Sequence, residues 1–82
     1  MESTMLYGVS NFEDKNYPVA KQSFTSIVVN NDNYYIEDAQ WYLALCYIQT
    51  NEQSKAVDQL IIIRNSNSIY SNDARKVLRR IR

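Results

Sequence analysis

The chain repeats its own spacing. Gly8, Ala20, Phe24 and Ile27 return 36 residues later as Ala44, Ala56, Leu60 and Ile63. A third, partial copy stands at a 35-residue offset, where Tyr35, Asp38, Ala39 and Leu43 return as Tyr70, Asp73, Ala74 and Leu78. A period in this range belongs to stacked supersecondary units, and two helices with their turns fill it. The small and large residues keep their spacing from copy to copy, which makes sense if equivalent helices cross in equivalent ways. An all-α stack is therefore expected before any side chain is read for chemistry.

The local signals divide the chain into five helices. Met5, Val9 and Phe12 keep helical spacing over about 3–14, and Asn16-Tyr17-Pro18 breaks the run. Proline suits the first turn of a new helix, which should reach Val29 and bury Ala20, Phe24, Ile27 and Val28. Asn30-Asn31-Asp32-Asn33 reads as a loop. The third helix, about 35–50, carries Ile36, Ala39, Leu43, Cys46 and Tyr47 on one stripe and Trp41, Leu45 and Ile48 on a roughly opposite one. Such a helix is either sandwiched between neighbours or covered on one side and binding on the other. A fourth helix runs to about Arg64 with Ala56, Leu60 and Ile63 facing in. Asn65 to Asn67 forms a loop, and a last helix, about 70–82, carries Ala74, Val77, Leu78 and Ile81.

Composition narrows the function classes. Residues 1–82 suffice for one small domain. The longest apolar run, Trp41 to Ile48, is eight residues, against about 20 for a membrane span, so no spanning segment is expected. Nothing in the chain names a compartment: cytoplasm fits, and so does periplasm as part of a longer anchored parent. The only cysteine, Cys46, allows no internal disulfide, and there is no histidine to serve as general base or metal ligand. The adjacent carboxylates Glu13-Asp14 and Glu37-Asp38 point about 100° apart on a helix and do not converge on one proton or metal. The expectation is no enzyme, no cofactor and no metal. Net charge is zero but uneven. Residues 1–73 hold four basic and nine acidic groups, whereas Arg75, Lys76, Arg79, Arg80 and Arg82 follow with no acid. With an acidic body and no aromatic beside these arginines, nucleic acid is not an expected partner.

These residues resemble the tetratricopeptide repeat family, in its short bacterial-type form. The resemblance rests on Gly8, Tyr17, Ala20 and Phe24 in one unit and on Leu43, Ala44, Tyr47, Ala56 and Leu60 in the next. Lys15 and Asn51 stand where the family has a turn glycine, Gln53 replaces its tyrosine, and Asp32 replaces a proline that often ends the unit. The resemblance implies a right-handed α-solenoid. It would comprise antiparallel helix pairs at about 3–29 and 35–64 and a capping helix at about 70–82. The cap is expected to cover apolar surface on the Tyr47 side.

The resemblance also implies where a ligand would lie. The first helix of each pair lines a concave groove, which puts Met5, Val9, Phe12, Trp41, Leu45, Ile48, Lys76 and Arg80 along it. Its apolar character suits a hydrophobic peptide or an amphipathic helix rather than a C-terminal carboxylate. Trp41 is the expected anchor, free of any duty in holding the helices together. The partner is accordingly another protein or a peptide segment. The alternative is a structural role, in which copies of the chain form a homodimer or the chain caps a larger repeat protein.

Overall fold

A computed structural model describes residues 3–30 and 34–81. Five helices account for nearly all of them: α1 (Ser3–Glu13), α2 (Tyr17–Val29), α3 (Ile36–Gln49), α4 (Gln53–Asn65) and α5 (Ser71–Ile81). No strand occurs among the described residues. Asn31, Asp32 and Asn33 of the expected loop and Arg82 of the expected last helix lie outside them.

Several helix ends have a local cause. Pro18 occupies the first turn of α2, and Glu37 and Asp38 put negative charge in the first turn of α3. Glu13, by contrast, ends α1 rather than opening a helix. The stops after α1 and α3 are the same device. Lys15 and Asn51 both adopt left-handed backbone, at φ 64° and 62°. In each turn the next amide reaches back five residues, Asn16 to the Asn11 carbonyl and Glu52 to the Tyr47 carbonyl, both at 2.8 Å. The left-handed residue itself bonds to the carbonyl of Phe12 or of Ile48. This satisfies the last carbonyls of the helix and reverses the chain within three residues.

Packing follows chain order. Each helix packs chiefly against the next, and α1 also reaches α3. The molecule measures 32 × 26 × 17 Å. Its thinnest dimension admits two layers of helices, given axes 8–10 Å apart. At the α1–α2 crossing Gly8 lets the helices close in: a Cβ there would stand 2.7 Å from Phe24 Cε1. The corresponding small residue of the next unit, Ala44, is fully buried.

The core has two parts that share α3. Met5, Ala20, Phe24, Ile27, Ala39, Leu43 and Cys46 form one, rimmed by stacked and edge-on rings of Phe12, Tyr17 and Tyr42. Ala44, Leu60, Ile63, Ala74 and Leu78 form the other, with Trp41, Ile48, Val57 and Tyr70 against it. Both stripes of α3 thus contribute packed residues, Leu43 and Cys46 from one and Trp41 and Ile48 from the other. α5 covers this second core rather than the Tyr47 side, because Ala74 and Leu78 face Leu60 and Ile63 while Tyr47 belongs to the first core.

Candidate functional site

The eight residues expected to line a groove fall into four groups. Met5 is only 2% exposed and belongs to the first core, so it presents nothing to a ligand. Val9 and Phe12 are half-buried against that same core, and Trp41 and Ile48 against the second. Lys76 and Arg80 are exposed on α5. Leu45 alone among the apolar members is half-buried yet outside both cores. The first helices do carry an apolar row, but most of that row is held by packing within the chain.

Trp41 is a packing residue, contrary to its expected freedom. Its ring lies parallel to Tyr70, 5.3 Å between centroids and 6° between planes. Tyr70 immediately precedes α5, so the stack pins the α4–α5 turn onto α3. The Tyr70 hydroxyl donates to Asp38 Oδ1, one turn before Trp41. Burial first, then the hydrogen bond and charge of Asp38, push the Tyr70 phenol well above its ordinary range. A spacing argument finds Trp41 on the right face but cannot see a partner 29 positions away.

A further hollow lies between α2 and the start of α4. It encloses about 620 Å³, with Lys21 and Thr25 on one wall and Tyr47, Glu52 and Lys55 on the other. Glu52 is its organising group. Lys21 Nζ and Thr50 Oγ1 each donate to Glu52 Oε2 at 2.6 Å, and Lys55 Nζ to Oε1 at 3.4 Å. Lys21 chiefly, then Thr50, hold the Glu52 carboxyl down to about 2 from an ordinary 4.5. Both lysine ammoniums also sit near the Tyr47 face, at 5.8 and 5.9 Å from its centroid. The cluster is internally satisfied and ties α2 to the turn between α3 and α4. No local sequence signal marks it, since Lys21 and Glu52 are 31 positions apart.

Little here supports covalent or metal chemistry. Burial pushes the Cys46 thiol up to about 11 against the opposing influence of Lys21, so it stays protonated and enclosed. Among the described residues no group of three metal-ligating side chains converges, and no helix is long and apolar enough to cross a membrane. Comparison of the chain with protein-family models, with curated proteins and with solved structures finds no match in any of the three.

Proposed function

We propose that the chain is a non-catalytic protein–protein interaction module of tetratricopeptide type. In this reading α1–α2 and α3–α4 are antiparallel pairs of a right-handed solenoid and α5 is its cap. Support comes from the recurrence, at the 36-residue period, of the same left-handed turn at Lys15 and Asn51 and of a small residue at the first crossing, Gly8 and Ala44. Short connections between packed helices make antiparallel neighbours. The first helices then offer an apolar peptide or helix the row Val9, Phe12, Leu45 and Ile48. The observation that carries this is Leu45, apolar and half-buried yet grouped with neither core.

Trp41 is the only tryptophan, so its emission reports on this row. A leucine–lysine amphipathic helical peptide should shift that emission saturably, and a scrambled peptide should not. Leu45→Ser should weaken the interaction by about 2 kcal/mol, the size of an interface hot spot, while the domain stays folded. Absence of a saturable shift, or unchanged affinity in Leu45→Ser, would remove the reading.

A second reading has an observation of its own. Leu6 and Tyr7 on α1 are 55% and 58% exposed, whereas their counterparts 36 residues on, Tyr42 and Leu43, pack onto the first core. The outer face of α1 is therefore shaped to cover another helix pair, as self-association would require. Light scattering over a concentration series separates the two: a persistent monomer favours peptide binding, a dimer abolished by Tyr7→Ser favours self-association.

A further inference from the structure

We propose that Arg64, Arg75 and Arg79 form a binding site for a phosphate-monoester dianion. The three side chains, from the last turn of α4 and from α5, surround one cavity of about 300 Å³ with Leu78 among its lining. Leu78 is buried, so the cavity has an apolar floor. The ion pairs among the described residues are Lys21 and Lys55 to Glu52, and none reaches these arginines. Their side-chain hydrogen bonds are few: Arg64 Nε donates to Asn65 Oδ1 and Arg75 Nη1 to Asn72 Oδ1. Each guanidinium carries five N–H donors, so most remain for a ligand. Arg75 and Arg79 also repel one another at i, i+4, a cost that an anion between them removes.

Charge and size select the ligand class. The carboxyl end of α4 lies beside the cavity and contributes roughly half a negative charge, whereas that of α5 lies at the opposite end of α4, where Gln53 Nε2 donates to the Ile81 carbonyl. Against three guanidiniums this leaves between two and three positive charges, which favours a phosphate monoester ionised above pH ~6 over a monoanion. Planar forks approaching from two helices suit a tetrahedral oxyanion with several acceptors. The cavity accommodates one such group. A polyanion is disfavoured by the body of the chain, where residues 1–73 carry nine acidic against four basic groups.

The site is independent of the apolar row, and it is tested by titrating the whole chain with inorganic phosphate and with a phosphoserine peptide and its unphosphorylated form. Side-chain Nε signals of Arg64, Arg75 and Arg79 should shift saturably, more strongly at pH 7.5 than at pH 5. Arg79→Lys and Arg75→Gln, both at exposed positions, should each weaken binding about tenfold, because a lysine keeps the charge but loses the fork. Lys55→Gln removes the same charge from the other end of α4, about 13 Å from Arg64 at 1.5 Å per residue and beyond the ~8 Å screening length at physiological salt. It should have less than a twofold effect. Tighter binding of the phosphopeptide than of phosphate assigns the group to a peptide; equal binding assigns it to a free phosphate. No saturable binding, full affinity in Arg79→Lys, or equal weakening by Lys55→Gln overturns the site.

Discussion

Trp41 and Leu45 occupy the same apolar row, and their removal should read out in opposite ways. A tryptophan buries at most about 250 Å². Half of that, at about 25 cal/mol per Å², is worth roughly 3 kcal/mol. Losing the parallel stack on Tyr70 adds ~0.5–1.5 kcal/mol. Relaxation of the exposed edge into water returns part of this, so Trp41→Ala should cost about 3 kcal/mol. For a domain this small, 3 kcal/mol corresponds to a melting temperature lower by roughly 12–24 °C. Leu45→Ser, half-buried but outside both cores, should cost about 1–2 kcal/mol, less than Trp41→Ala. Tyr70→Phe keeps the stack and removes the hydroxyl bonded to Asp38, for a loss of about 1 kcal/mol. Urea melts followed by circular dichroism give all three numbers. The packing argument fails if Trp41→Ala melts with the wild type, or if Leu45→Ser is the more damaging of the two.

Three further outcomes follow from the turns, the crossing and the Glu52 cluster. Lys15→Gly should stabilise by about 0.5–1 kcal/mol, because glycine adopts the left-handed conformation without the Cβ cost, whereas Asn51→Gly should gain less since asparagine already tolerates it; thermal melts that rank them otherwise refute the strain. Gly8→Ala gains about 1 kcal/mol of helix propensity but drives a methyl into buried Phe24, an overpacking of ~1–3 kcal/mol. A net loss near 1 kcal/mol in urea is expected, and a gain would show that the ring has room. The depressed Glu52 carboxyl contributes stability that is present above its ordinary value of 4.5 and lost as pH falls toward about 2. Glu52→Gln should therefore be less stable than the wild type at pH 6, with the difference closing as pH is lowered to 2; a gap independent of pH would contradict the pairing.

The helices were legible because their signals are local or periodic. Pro18 opens α2 as its chemistry requires, and the small residues at Gly8, Ala20, Ala44 and Ala56 mark burial wherever the period places them. The turn at Lys15 was legible only through register, for lysine does not advertise a left-handed conformation by itself, whereas asparagine at position 51 tolerates one. What escaped the sequence is what depends on side chains from distant positions. The two-faced pattern of α3 leaves open whether its second stripe packs or binds, and only the arrival of Tyr70 and α5 decides for packing. Met5 shows the same limit: its position on α1 is right, but its depth depends on how closely α3 approaches. Arg64 gave no sign of joining Arg75 and Arg79, because α4 and α5 had to fold together first.

The division of the core has a consequence for how the molecule opens. Leu43 and Ala44 are chain neighbours, yet one belongs to the first core and the other to the second. Damage to the Phe24 side can loosen α1 and α2 while leaving Leu60, Ile63 and Leu78 in place. The converse holds for loss of α5. Either event strips one flank of α3, but only the loss of both exposes its backbone fully. The amides of α3 should therefore be the last to exchange with solvent, at the free energy of global unfolding, while those of α1 and α5 exchange through separate partial openings. The two ends of the chain then fluctuate as distinct cooperative units around a common central helix.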